Sequence, residues 1–264
     1  MIAYFQSIWK FRHFWWSLVK LDLRTRYRRS MLGIGWSLLH PVCMTVILCV
    51  VFHKLFRLDL VDYAPHVFSG LAVWQYILTC TLQGCHAFFQ AEHYIRQTSM
   101  PLAIFPLRTV LGATFHLLIA LSLVVAMLAV LAVGGWRPWH PMGVLFAVPG
   151  LGLLFVFCWS LAVIAGTFTV FFHDVHHLAE VGFQMLFYAS PIMYQSSLLA
   201  EHGLNWLLQV NPIVCVMRLI REPLLTSTLP SGAAFFHALV LVTVLGACAS
   251  VLLARIQKRL IFHL

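Results

Sequence analysis

Apolar residues run through this chain in long blocks separated by short polar or proline-rich breaks. The blocks lie at about 34–53, 67–89, 109–133, 143–170, 178–198 and 233–254. Each is close to the ~20 residues an α-helix needs to cross a ~30 Å hydrocarbon core, so the pattern predicts six transmembrane helices. The run from Met142 to Phe172 has no Asp, Glu, Lys or Arg and exceeds one straight crossing, and Pro149-Gly150 is expected to kink it. Upstream, Phe5, Ile8, Trp9, Trp15, Leu18 and Val19 recur at helical spacing among basic residues, as in a helix lying in the cytoplasmic interface over residues 1–29. Residues 90–108 turn polar and hold Pro101 and Pro106, which predicts a cytoplasmic elbow. Residues 199–232 are broken by Asn211-Pro212, Glu222-Pro223 and Pro230. They are too polar to span and too apolar to hang free, so re-entrant half-helices dipping into the outer interface are expected between spans 5 and 6. The expected fold is an all-α integral membrane protein forming one transmembrane domain over 1–264.

Composition agrees with that pattern. Of 264 residues, 61% are hydrophobic and 9% charged, where a soluble domain carries about 25% charged residues. Arg24, Arg26, Arg28 and Arg29 form a basic belt directly before the first apolar run, which pins that end to the anionic cytoplasmic leaflet. Six spans then put twelve Lys/Arg on the inner side and five on the outer, with both termini inside. The net charge of +9 reads as a topology signal, and no nucleic-acid partner is expected. The first apolar run follows a basic, Trp-rich segment without a small-residue cleavage site, so it is expected to be retained. Seven scattered cysteines without a CxxC pair read as free thiols.

Three features carry candidate chemistry. In the turn HDVHH, His173, His176 and His177 share a helical face beside Asp174; no second ligand cluster accompanies them, and no metal is expected. The fifth block carries Glu180, Phe183, Gln184, Phe187, Pro191 and Tyr194 at intervals of three and four. A carboxylate and an amide among aromatics on one face point to water or a polar substrate, or to a packed bundle in which Glu180 finds a neighbour. Trp36, Trp74 and Tyr76, near span ends, either line the same pathway or belong to the interfacial aromatic belt.

RYRRSMLGIGWSLLHP (26–41), GLAVWQYI (70–77), MPLAIFPLR (100–108), FFHDVHHLAEV (171–181), SPIMY (190–194) and the segment from Asn211-Pro212 to Arg218 occur in one order along nearly the whole chain. In that order the chain resembles the permease subunits of type-2 ABC exporters for polysaccharides, most of all the O-antigen (Wzm-type) branch, with capsule and teichoic-acid permeases as relatives. The resemblance implies a homodimer in the bacterial inner membrane, bound to two copies of a separate ABC ATPase, that exports lipid-linked polysaccharide. It assigns ATPase coupling to the 90–108 elbow (Arg96, Pro101, Pro106) and a cytoplasmic gate to Phe171, Phe172, His173 and Asp174. The outer gate falls on Asn211, Pro212 and Arg218, and the substrate pathway on Trp36, Trp74, Tyr76, Glu180, Phe183, Gln184, Phe187 and Tyr194. Arg24, Arg26, Arg28 or Arg29 would meet lipid headgroups or the lipid diphosphate as guanidinium forks. Relatives usually carry Arg-Asp where this chain has His173-Asp174. No GxxxxGK[ST] loop occurs, so ATP and Mg are expected on the partner and the chain is not expected to be an enzyme. A small-lipid or drug exporter on the same fold, and an integral-membrane transferase using His173 and Asp174, are the alternatives.

Overall fold

The computed structural model describes residues 2–28, 33–56, 59–97, 100–195, 203 and 205–263. Within them the chain is all helical: α1 (Ile2–Lys10), α2 (Arg12–Tyr27), α3 (Trp36–Phe56), α4 (Leu60–Cys85), α5 (Glu92–Gln97), α6 (Ile104–Val133), α7 (Met142–Phe171), α8 (Val175–Ala189), α9 (Asn205–Val210), α10 (Pro212–Thr226) and α11 (Gly232–His263).

Among the described residues, three helices are long and apolar enough to cross a membrane: α6, α7 and the Gly232–Gln257 part of α11. At ~1.5 Å per residue, the 30 residues of α6 and of α7 reach about 45 Å, more than one hydrocarbon core. The helix α4 has the length but carries Ser69, Gln75, Thr79, Thr81 and Gln83. It tolerates them because it is the bundle's inner helix: 16 of its 26 residues are buried, against α3, α6, α7 and α8. The fifth apolar block gives a shorter helix than its spacing suggests. The helix α8 ends at Ala189, and Ser190–Gln195 continue without helix, so Pro191 and Tyr194 leave the stripe that Glu180 begins.

Burial against lipid-like neighbours gains little hydrophobic energy inside a bilayer, so close packing carries the helix contacts. Glycines set that packing on α7. A Cβ on Gly166 would lie 2.6 Å from the Gly84 carbonyl oxygen, and one on Gly84 would lie 2.7 Å from Ala162 Cα, so α4 and α7 touch backbone to backbone. About four turns away along α7, a Cβ on Gly150 would lie 2.6 Å from Leu219 O, and Gly143 faces the Pro223 carbonyl in the same way, which seats α10 on α7.

The N-terminal segment breaks at Phe11 into α1 and α2 rather than forming one helix. Ile8, Leu18 and Val19 are buried, whereas Trp9 and Trp16 face outward. Arg108, in the first turns of α6, forks onto both carboxylate oxygens of Asp22 and ties α2 to the bundle. Asp22 is 40% exposed, so solvent weakens the pair. Asp22→Asn is therefore expected to cost about 1 kcal/mol. It should speed tryptic cleavage after Arg24 and Arg28 without moving the main thermal transition, and unchanged cleavage would remove the pair from that role.

The elbow holds a 3-10 turn (Phe89–Ala91) and then α5. Pro106 does not interrupt a helix. It lies in the first turn of α6, where its missing N–H has no helical partner to lose.

Candidate functional site

Helix α4 organises the candidate residues on different sides of itself. Toward α8, the buried Trp74 meets Phe183 edge-on at a centroid distance of 5.8 Å and Phe187 at 5.3 Å. This is the tilted geometry that aromatic rings favour, and it uses the indole as packing between α4 and α8. Glu180 and Gln184 are exposed on α8, as are Leu178, Val181, Met185 and Tyr188, and α8 has no buried residue. The Tyr194 hydroxyl donates to the Tyr188 carbonyl at 3.1 Å.

Toward α3 and α6, α4 borders a cavity of about 170 Å³ whose walls include Trp36, His40, Gln75, Tyr76, Thr79 and His116. Tyr76 is buried, with its hydroxyl 3.0 Å from Thr114 Oγ1. Trp36 and Tyr76 therefore share one site, and Trp74 belongs to another. His40, Gln75, Thr79 and His116 join them although sequence reasoning passed over them. The available signal was their polarity inside blocks otherwise fit for hydrocarbon.

At the turn between α7 and α8, Phe172, His173 and Asp174 are exposed and Phe171 closes α7. The histidines diverge. His173 stacks near Phe89 at 5.4 Å, His176 faces His86 at 4.6 Å, and Glu180 takes His176 and His177 at 3.4 and 3.5 Å. Burial, and then the neighbouring His176, lower the pKa of His86. Among the described residues no group of three His, Cys, Asp or Glu is arranged to hold a metal. Nearby, Arg96 is exposed and pairs with Glu92 at 2.8 Å, whereas Pro101 and Pro106 are buried beneath the elbow. Arg24 and Arg28 are exposed; the side chain of Arg26 and all of Arg29 lie outside the described residues.

The opposite end of the bundle holds a denser polar assembly. Asn211 caps α10 by accepting from Ile213 N–H at 3.0 Å, and its amide donates to Ser190 Oγ at 2.9 Å, just past the end of α8. Pro212 follows as the first helical residue, where its fixed φ suits the helix. Arg218 is exposed and paired with Glu222 at 2.8 Å. Arg221 turns inward, 8% exposed, and donates from Nη1 to the Pro191 carbonyl at 2.7 Å and to His66 Nε2 at 2.8 Å. Met217 Sδ receives its Nη2, and its Nε has no partner. Burial pushes its pKa down to about 10, which leaves it a cation at neutral pH. A guanidinium cannot accept, so His66 accepts at Nε2 as a neutral imidazole.

The loop after α6 completes this end. Arg137 joins Asp62 at 3.1 Å to the Leu225 carbonyl at 3.0 Å, Trp139 donates to Leu224 O at 2.8 Å, and Ser227 Oγ donates to His140 O at 3.0 Å. The last carbonyls of α10 are thus capped by a cation and an indole, as the negative end of a helix dipole favours. In this loop Trp136 is exposed, whereas Trp139 is a cap. Arg137, His66 and Arg221 were not singled out, and their partners lie 88, 155 and 30 residues away in sequence.

The profile of the ABC-2 type transporter family matches residues 13–225. The O-antigen export system permease protein RfbA of Myxococcus xanthus is 27% identical over 262 residues, 98% of each chain. Two Klebsiella pneumoniae proteins of the same description are similar as well. One is 25% identical over 209 residues (79% of this chain, 78% of the relative), the other 26% over 202 residues (76% of each).

Proposed function

Because the chain belongs to the ABC-2 type transporter family, we propose that it is the membrane-spanning subunit of an ATP-driven exporter that moves lipid-linked polysaccharide, O-antigen, across the bacterial inner membrane. The observation that carries this reading is the likeness to O-antigen export permeases over nearly the whole chain. The all-helical bundle, with its polar assemblies confined to two ends and a polar cavity between, supports it.

In this reading α3, α4, α6, α7, α8 with the segment 190–195, and α11 make six crossings, and both termini face the cytoplasm. Two copies enclose the conduit, and two ATPase subunits bind ATP and Mg and press on α5 through Arg96, with Pro101 and Pro106 shaping the turn beneath. Phe172, His173 and Asp174 guard the inner mouth. The Asn211–Ser190 link and Arg218 belong to the outer one. The exposed Arg24 and Arg28 meet the anionic head of the lipid carrier.

The chain's own groups supply no phosphate-cradling loop, so the purified permease is expected to leave ATP intact and the complex with its ATPase to hydrolyse it. Deleting the chain should strip the polymer from the cell surface and leave lipid-linked polymer inside. Undiminished surface polymer in the deletion strain would end this reading. Product formation by the isolated chain, lost in His173→Ala, would favour a transferase.

A further inference from the structure

The cavity between α3, α4 and α6 holds Trp36 and Tyr76 of the expected pathway together with polar groups that have no role so far. Gln75 lies ten residues before the end of α4 and His116 twelve residues after the start of α6. At ~1.5 Å per residue both sit about 15–18 Å along their helices, at hydrocarbon depth in a crossing helix. Polar side chains at that depth are costly unless they meet water, protein or a polar guest. The Gln75 amide reaches only Thr79 Oγ1, at a long 3.4 Å, and its carbonyl oxygen has no partner among the described residues. The Tyr76 hydroxyl, by contrast, is held by Thr114, which itself donates to Val110 O at 2.8 Å. The ring of Tyr76 is thereby fixed while the amide and hydroxyl beside it are left to a guest.

The lining also says which guest. It contains no Asp, Glu, Lys or Arg, so no side chain of fixed charge there would offset a phosphate or a carboxylate. It pairs an indole and a phenol ring, flat apolar faces, with hydrogen-bonding groups: an amide, a hydroxyl and two imidazoles. A pyranose has that complement, an apolar C–H face with a rim of neutral hydroxyls. We propose that this cavity is a subsite for one uncharged sugar ring of the exported glycan, with Trp36 and Tyr76 as the apolar walls and His40, Gln75, Thr79 and His116 on the hydroxyl rim. The subsite rests on the exporter reading above. It separates the glycan from its anionic lipid head, which finds no fixed counter-charge in the cavity.

The test uses the full permease with its ATPase in cells that make the polymer. Trp36→p-benzoylphenylalanine places a photo-crosslinker of similar shape at the exposed wall. Illumination is expected to give a permease adduct that stains for the polymer and is absent when the cell cannot synthesise it. An adduct with lipid alone, or one independent of polymer synthesis, would overturn the proposal. Gln75→Leu combined with Thr79→Val should lower surface polymer roughly five- to tenfold, the loss of about one hydrogen bond from binding, at an unchanged permease level and with the ATPase still co-purifying. If that pair fails to accumulate, Thr79→Val alone, nearly isosteric, takes its place. Full surface display with either variant would overturn the subsite. If deleting the permease leaves display intact, the exporter reading falls; if deletion strips the surface but probe and variants are silent, only the subsite falls.

Discussion

His66→Leu is expected to destabilise the protein more than Arg221→Met, although arginine is the larger and the charged partner. Arg221 is 8% exposed, its Nε is already without a partner, and the neighbouring carboxylate, Glu222, is engaged by Arg218 at 2.8 Å. Removing His66 leaves a buried cation with only the Pro191 carbonyl and the Met217 sulfur, and a buried charged donor that loses its acceptor costs about 3 kcal/mol. Arg221→Met takes the charge away in a side chain of similar length. It leaves only neutral groups unpaired, the Pro191 carbonyl and the imidazole, at about 1–3 kcal/mol, offset in part by relief of the buried charge. The double variant His66→Leu with Arg221→Met should then fall near Arg221→Met alone, a coupling as large as the cost of His66→Leu itself, about 3 kcal/mol.

Thermal unfolding of the purified protein in one detergent, compared at one scan rate, reads the order. With about 2–4 °C per kcal/mol for a chain of this size, His66→Leu should lie on the order of 10 °C below wild type. An Arg221→Met protein less stable than His66→Leu would show that the guanidinium's contacts outweigh its desolvation. In either order, Arg221→Met removes one of the two ties between α10 and the segment after α8, leaving the Asn211–Ser190 bond, so surface polymer should drop further than its modest loss of stability accounts for.

The apolar blocks alone located α3, α6, α7 and α11, because lipid-facing helices must be apolar all round. The same rule placed α4 late. Its first turns, Leu60–His66, read as loop because Asp59, Asp62 and Pro65 are polar or helix-breaking, yet Asp59 accepts from Val61 N–H at 3.0 Å as an N-cap and the helix runs on through Pro65. Asn211-Pro212 was read as a break and is a start, the Asn as cap and the Pro as first helical residue, a signal present in the sequence. Residue spacing could place Phe183 and Phe187 on one face of α8, and the structure joins both to Trp74. It could not place Arg221 against His66 or Arg108 against Asp22, because a pairing 155 or 86 residues apart follows from how helices dock and leaves no local pattern. For the cavity, Trp36 and Tyr76 were legible as aromatics near span ends, while Gln75, Thr79, His40 and His116 gained meaning only once three helices brought them to one hollow.

The docking of α4 on α7 sets the second large effect. Gly84→Ala would put a Cβ 2.7 Å from Ala162 Cα and 2.8 Å from its Cβ, and Gly166→Ala would put one 2.6 Å from the Gly84 carbonyl oxygen. These neighbours are backbone or backbone-bound atoms that no rotamer change can move, so the helices themselves must separate. Overpacking a well-filled core costs about 1–3 kcal/mol per added group, and with backbone on both sides each alanine should fall at the upper end. Gly166→Leu should exceed that and lower the yield of folded protein. Separation would also loosen Phe88, which lies 3.1 Å from the Gly166 Cβ position, and with it the elbow at the cytoplasmic end. Gly152, on the same helix with nothing within 4 Å of its Cβ position, is the control. Gly152→Ala adds a methyl group to an open face and removes a flexible residue from a helix interior, so it should be neutral or stabilising by up to about 1 kcal/mol. Thermal midpoints of the four proteins in one detergent give the comparison. Gly84→Ala and Gly166→Ala are expected several degrees below wild type, with Gly152→Ala at or above it. If Gly84→Ala and Gly152→Ala were equally stable, α4 and α7 would not meet through their backbones at this point, and the contact that seats the bundle's inner helix would have to lie elsewhere.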